Sequence, residues 1–172
     1  MGAVSEEPVK AAFEPLLQFE MDMRTFLSDW QHCDQLSTFV ARMISHNRTD
    51  PIRHSNFFSF ALNELLEVSF RGGAPEGRIY CTAYRLDSTE RLKLSFTCLP
   101  GQEEFYREAV SKTHGEDAVA RYLGAISTEL APDREVVLLD LAINFDADVR
   151  LESCTPDSIT FVVDLPLEGT IS

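Results

Sequence analysis

Hydrophobic positions change their period several times along this chain, and each change marks an element. Leu16, Leu17, Phe19 and Met21 read as a short first strand, with a helix as the alternative. From Arg24 to His46 the spacing is helical. Phe26, Leu27 and Trp30 form one patch, and Leu36, Phe39, Val40, Met43 and Ile44 recur at intervals of three and four. Cys33-Asp34 is expected to divide this stretch into two helical pieces. The best-defined helix follows. Asp50 is a good N-cap, Pro51 sits where a first-turn proline is tolerated, and Gly72-Gly73 supplies a stop. Between these signals Phe57, Phe58, Ala61, Leu65 and Val68 share one face at about 100° per residue, which places the helix at the centre of the core.

The period then becomes two. Ile79, Cys81 and Ala83 alternate with Tyr80, Thr82 and Tyr84; after an Asp87-Ser88-Thr89-Glu90 turn, Leu92, Leu94, Phe96 and Cys98 continue the alternation. This predicts an antiparallel hairpin, ended by Pro100-Gly101. Helical spacing returns over residues 102–130, with Phe105, Ala109 and Val110 in one piece, a break at Gly115, and Val119, Tyr122, Leu123 and Ile126 in the next. Pro132-Asp133 opens a further helix, densely apolar from Val136 to Phe145. Val149 and Leu151 mark one closing strand and Ile159, Phe161, Val163 and Leu165 the other, joined by a turn at Thr155-Pro156-Asp157. Helices grouped around antiparallel hairpins predict an α+β fold. The expected form is a two-layer sandwich whose mainly antiparallel sheet carries helices on one face. Residues 1–10 are expected to be a loose tail, and residues 11–172 a single domain.

Charge narrows the choice of partners. With 28 acidic and 15 basic side chains the formal net charge is -13, a field that repels phosphate backbones and anionic lipid surfaces. Nucleic acid and membrane are therefore set aside. The four cysteines (Cys33, Cys81, Cys98 and Cys154) contain no C-x-x-C, and the four histidines (His32, His46, His54 and His114) no H-x-x-x-H, so no metal site is expected. No apolar run is long enough to cross a bilayer and residues 1–10 carry no leader-like apolar core, which makes the cytoplasm the expected compartment.

One run carries a resemblance. Ala61-Leu62-Asn63-Glu64-Leu65-Leu66-Glu67-Val68-Ser69-Phe70 resembles the N-box helix of the histidine-kinase-like (GHKL) ATPase superfamily, where N-E-L-L-E-N-A is a common form. The order of elements over residues 15–167 is also similar. The likeness is nearest to small bacterial regulators related to the SiaB-type protein kinases, which act on anti-sigma-factor-antagonist proteins. In that group a G-L-G-F-L-T-M-I-like stretch precedes the last hairpin. The similar stretch here is Glu135-Val136-Val137-Leu138-Leu139-Asp140-Leu141-Ala142, continuing Ile143-Asn144-Phe145.

The resemblance implies roles for particular positions. Glu64 takes the place of the general-base glutamate. The magnesium-binding asparagine four residues later is replaced by Val68, whose isopropyl group offers no oxygen to a hard cation. Asn63 points about 100° away from Glu64 and is no ready substitute. Glu67 could reach a cation but adds negative charge beside phosphates. The adenine-binding D-x-G-x-G is replaced by Thr97-Cys98-Leu99-Pro100-Gly101, and Glu135 and Val137 stand where phosphate-approaching glycines would lie. The implied nucleotide site is thus vestigial, near Glu64, Glu67, Val68, Cys98, Glu135 and Val137, with no cofactor and no metal expected. The alternative keeps ATP with magnesium.

The function expected from this is a non-catalytic, protein-binding regulator in bacterial signalling of the partner-switching type, gripping a STAS-like protein, with a homodimer left open. One alternative is a divergent ATP-dependent serine/threonine protein kinase acting on a STAS-like anti-sigma-factor antagonist, with Glu64 as its base. Another is a small-molecule sensor whose vacated pocket is made apolar by Val68, Val137 and Cys98. Plainer readings stand beside these. Glu64 reads equally as a carboxylate at the rim of the apolar stripe. Asn63, Glu67 and Ser59 form the outer face of the same helix, and Trp30 with Phe26 a core or dimer contact. Arg71 beside Gly72-Gly73 sits at a helix C-terminus, which disfavours anions. Asp140, Asn144, Asp146 and Asp148 read as a solvated face and turn. The absence of G-x-S-x-G gives no support to a hydrolase triad.

Overall fold

Alternating apolar residues turn one face of a five-stranded sheet into the core, and a long helix lies across that face. The structure is a computed structural model that describes residues 12–127 and 133–167. The expected tail at residues 1–10 and the expected helix opener Pro132 lie outside the described residues. The elements run β1 (Glu14–Asp22), α1 (Met23–Leu27), α2 (Gln31–Ser45), α3 (Pro51–Gly72), β2 (Arg78–Leu86) and β3 (Thr89–Thr97). They continue with α4 (Glu103–Thr113), α5 (Ala118–Ile126), α6 (Arg134–Asn144), β4 (Asp148–Cys154) and β5 (Ser158–Pro166). The sheet order is β1-β2-β3-β5-β4, and every neighbouring pair is antiparallel. The chain is α+β, as its periodicity predicts.

Register aligns the buried side chains into rows. Cys81 pairs with Leu94, Leu94 with Phe161, and Phe161 with Leu151; Ala83, Leu92, Val163 and Val149 make the parallel row. Asp87 and Ser88 form the loop between β2 and β3, and Asp87 takes a left-handed φ of 52° that a short aspartate tolerates. The opposite face of the sheet is polar. Arg91 and Arg150 both hold Asp164, at 2.7 and 3.0 Å, Lys93 meets Glu152 at 2.7 Å, and the Ser95 and Thr160 hydroxyls lie 2.7 Å apart.

α3 begins and ends where its signals place it. The Asp50 carboxylate accepts the Arg53 amide at 3.1 Å, Pro51 opens the first turn, and Gly73 follows the last helical residue. Phe58, Ala61, Leu65 and Val68 are buried, while Phe57 is half-buried and meets Phe145 edge-on at 5.0 Å between ring centroids. Gly72 has a second reason to be glycine. A Cβ there would collide with Tyr106 Oη and stand 2.8 Å from an Arg134 nitrogen, so Tyr106 occupies the space a methyl group would need. Tyr106 is itself fully buried, and its hydroxyl accepts a hydrogen bond from Arg134 at 2.8 Å.

Two elements depart from expectation. The helical break comes at residues 28–30, not at Cys33-Asp34. Ser28 turns its hydroxyl back to the Thr25 carbonyl, and the Asp29 carboxylate accepts the Gln31 amide, so these short polar side chains supply the break while Cys33 is buried within α2. On α5 Val119 and Leu123 face outward and Ile126 stands at the rim of a cleft, each more than half exposed, and among α5 residues only Ala118 is buried. Periodicity identifies a helix here without identifying which side the fold covers.

A sealed charge cluster ties the α2–α3 hairpin to the sheet. Glu90, on β3, is fully buried. Its Oε1 accepts from Arg48 at 2.8 Å, from Arg85 at 2.7 Å and from His54 Nε2 at 3.0 Å. Since His54 donates through Nε2, its Nδ1 accepts from the Ser45 hydroxyl. Arg85 also donates to the Ile44 carbonyl at 2.8 Å. Removing the carboxylate leaves buried cations uncompensated. Glu90→Ala is expected to lower stability by about 3–5 kcal/mol in urea denaturation. Gly72→Ala is expected to cost about 1–3 kcal/mol by overpacking against Tyr106, with an unchanged m-value.

Candidate functional site

One face of α3 and the apolar helix α6 stand apart enough to leave a cleft of about 240 Å³, closed on a third side by α5. Spacing explains who lines it. Glu64, Glu67 and Arg71 repeat at three and four residues and so share a face of α3. α6 contributes Val136, Val137 and Asp140, and α5 contributes Tyr122 and Ile126. The result is an acidic cleft with apolar walls.

Its polar centre is a carboxyl pair across the two helices. The Tyr122 hydroxyl donates to Asp140 Oδ1 at 2.8 Å, and the Asn144 amide donates to the same oxygen and to the Tyr122 oxygen, the latter at 2.9 Å. Glu64 hydrogen-bonds with Asp140. Its Oε2 is buried, and no described donor group reaches it. Two carboxyl groups facing each other need a proton between them. Burial, then the Asp140 hydrogen bond and charge, and lastly the Glu67 charge push the Glu64 carboxyl up to about 9. For Asp140, burial acts to raise the value, but hydrogen bonds from Glu64, Tyr122 and Asn144 outweigh it and hold the group below its ordinary range. The proton therefore sits on Glu64 at neutral pH, and Asp140 carries the charge.

The anticipated site residues are dispersed around this cleft. Glu64, Glu67 and Val137 line it. Val68 has no exposed surface and belongs to the core behind Glu64. Cys98 is buried just past the end of β3, bridged to Gly73 beyond the last turn of α3, its thiol 3.8 Å from the Pro156 carbonyl, and it does not line the cleft. Glu135 forms an ion pair with Lys112 at 3.2 Å, away from the lining. Asn63 lies 3.5 Å from Glu67 across one turn, and Arg71 stands 4.0 Å from the other Glu67 oxygen. Trp30 is exposed while Phe26 is buried edge-on against Phe70. Trp30 lines a neighbouring cavity of about 200 Å³ that shares Glu67 and Arg71 with the cleft. Asp140 and Asn144, read from sequence as a solvated face, are central to the site, as is Tyr122. The available signal was their four-residue spacing on an otherwise apolar helix, which marks a polar spot facing something.

Among the described residues no group of three His, Cys, Asp or Glu side chains is placed to hold a metal ion, and no helix is long and apolar enough to cross a membrane. The four cysteines are free thiols. Burial pushes Cys33 and Cys81 up to about 12, with the Glu67 charge adding to the effect at Cys33.

The Glu64 shift makes stability depend on pH. The folded chain holds this proton more tightly than the unfolded chain does, so its stabilising effect is complete below about 4.5 and is lost as pH rises toward about 9. Glu64→Gln keeps the hydrogen bond without the titration. It is expected to flatten the Tm profile over that window and to raise stability by about 1 kcal/mol at pH 8, or roughly 2–4 °C in Tm.

No family model matches the sequence, and no curated protein matches it. Solved structures do share its architecture. A chain in the crystal structure of the SiaB–SiaC complex from Pseudomonas aeruginosa superposes with a TM-score of 0.59, over 88% of this chain and 90% of that one, at 11% identity. At that identity the likeness is one of fold, and a SiaB-like fold is what the two chains have in common.

Proposed function

We propose that this chain is a non-catalytic regulatory module that binds a partner protein in bacterial signalling, in the partner-switching manner, on a fold of the histidine-kinase-like ATPase type. The observation that carries the reading is the placement of Glu64 beside Asp140 in the cleft, where burial pushes the Glu64 carboxyl up to about 9. A general base must be ionised, yet a carboxyl group titrating at about 9 is only about 1% ionised at pH 7. Three further features support it. Val68 is buried and has no oxygen for magnesium. Asp140 and Glu67 line the cleft, where their negative charge disfavours phosphates. The cleft, at about 240 Å³, falls below the ~300–1,000 Å³ usual for drug-sized ligands. Nucleotide and magnesium do not fit these residues.

A face for a protein partner lies on the outer side of the α2–α3 pair. Ser45 meets His54, and Cys33 shares a cavity lining with Glu67, which sets the antiparallel register of the two helices. Phe39 on α2 and Phe60 on α3 fall at the same level of that register. Together with Met43 and Ile52, each is more than half exposed. Large apolar side chains gathered on one face favour a protein partner over solvent. The solved neighbour was itself crystallised as a SiaB–SiaC complex. By analogy of fold, a STAS-like regulator is the partner we assign, and a second copy of this chain is the competing occupant.

Thermal melting with magnesium-ATP tests the catalytic side. A ligand at a hundred times its Kd stabilises by about 2.7 kcal/mol, so an unchanged Tm at saturating ATP is the expected result and a clear rise refutes the reading. Gel filtration with a genomically neighbouring STAS-like protein tests the other side. Complex formation without ATP is expected, weakened about tenfold or more by Phe60→Glu, which corresponds to about 1.4 kcal/mol.

A further inference from the structure

We infer that the cavity on the outer face of the α2–α3 hairpin receives a carboxylate side chain of the partner protein, with Arg42 as its counter-ion. This rests on the reading above, in which that face meets a protein partner, and it names the chemistry the partner must bring. The cavity measures about 410 Å³. It lies where the end of α2, carrying Arg42 and His46, meets the first turns of α3, carrying Ile52, Ser55 and Asn56. No carboxylate lines it. The Ser45 hydroxyl at its edge is taken up by His54, and the His46 ring is held by donating Nδ1–H to the Met43 carbonyl at 2.8 Å. Arg42 is exposed, and among the described residues no carboxylate pairs with it. Its guanidinium is a planar fork that matches a carboxylate, and the Ser55 hydroxyl and Asn56 amide stand beside it as further donors.

Charge sets this cavity apart from the rest of the chain. From Gln35 to Asn63 Asp50 is the one acidic residue, although the whole chain carries a net charge of -13. Asp50 is engaged in capping α3 through the Arg53 amide. Elsewhere exposed arginines meet acids of this chain: Arg78 reaches Asp22 at 2.7 Å, Arg121 reaches Asp117 at 2.9 Å, and Arg150 reaches Asp148 at 3.1 Å. Arg42 lacks such a neighbour, so the carboxylate that matches it comes from outside. Apolar side chains complete the recognition surface. Ile52 edges the cavity and Met43 adjoins Arg42 on α2, while Phe39 and Phe60 lie about one helical turn, roughly 5 Å, further along the hairpin. Arginine and aromatic anchors on one face are the composition of a protein interface. The partner segment therefore carries an aspartate or glutamate with a large apolar side chain about one helical turn away. A second copy of this chain fits poorly, because a two-fold pairing sets this acid-free patch against itself and brings like charges together. A nucleic acid fits poorly because the net charge of the chain repels phosphate backbones.

Fluorescence anisotropy of the full-length chain with a labelled helical peptide tests the proposal. The peptide repeats glutamate and phenylalanine four residues apart, and its counterpart has glutamine in place of every glutamate. Saturable binding of the glutamate peptide is expected, with the glutamine peptide about tenfold weaker or more. Arg42→Glu should weaken the glutamate peptide at least about tenfold, or about 1.4 kcal/mol, and Arg42→Gln in the same direction. Arg24→Glu makes the same charge change at an exposed arginine on α1, at the other end of α2, and should leave binding within about twofold. If circular dichroism shows Arg42→Glu to be unfolded, Arg42→Gln and the glutamate–glutamine comparison on the unaltered chain decide. Equal binding of the two peptides, an equal loss in Arg24→Glu, or no saturable binding overturns the proposal. A concentration-dependent dimer that Arg42→Glu disperses also overturns it, in favour of a second copy. The same variants are run on gel filtration with the genomically neighbouring STAS-like protein. If that protein binds and Arg42→Glu leaves the complex intact, the partner reading stands and the carboxylate site falls. If it does not bind while the glutamate peptide does so through Arg42, the site stands and the STAS-like assignment falls.

Discussion

A carboxylate sealed from water persists in a folded chain only when donors and cations surround it, and Glu90 has the Arg48 and Arg85 guanidiniums and the His54 Nε2–H converging on one oxygen. Those partners come from the segment linking α2 to α3, from β2 and from the first turn of α3. The cluster therefore fixes both the position of the helical hairpin and the rotation of α3 against the sheet. Once that rotation is set, the remaining face assignments follow at helical spacing. Leu65 and Val68 go to the core, and Glu64, Glu67 and Arg71 go to the gap beside α6. The polar cleft at one end of the molecule depends in this sense on a charge network at the other.

The cleft works on a different principle from the network. At Glu90 protein cations neutralise a buried charge. Between Glu64 and Asp140 the neutralising species is a proton, which can leave. The helices α3 and α6 are thus joined by a contact whose strength depends on the solution. Tyr122 and Asn144 bias the proton's location by donating to Asp140, which keeps that carboxylate ionised and leaves Glu64 as the titrating member. The asymmetry comes from two neutral side chains on two different helices.

Much of the fold was legible in the chain. Asp50, Pro51 and Gly73 act locally, and α3 keeps the ends they indicate. The period-two runs of β2, β3 and β5 are buried on one side, so alternation gave both their identity and their facing. What escaped was set by tertiary context. The outward stripe of α5 has the same spacing as a buried one, and periodicity is blind to which side a neighbour covers. The break at residues 28–30 arises from Ser28 and Asp29 bonding to nearby backbone, a local competition that apolar spacing does not register. For the site, the Glu64 position was visible through a family resemblance, and Val137 and Glu67 through their neighbourhood. Asp140, Tyr122 and Asn144 were not, because Tyr122 lies 18 and 22 residues from the other two across the α5–α6 connection and meets them only in three dimensions.

The polar face of the sheet restricts where recognition can happen. Arg91, Arg150 and Asp164, flanked by Lys93 and Glu152, form a lattice of paired charges across β3, β5 and β4. Covering that lattice with another apolar layer would strip water from several ions at once, which a weak encounter cannot offset. The sheet side is thus a non-stick surface that discourages face-to-face stacking of copies and leaves the helical side as the molecule's sociable half.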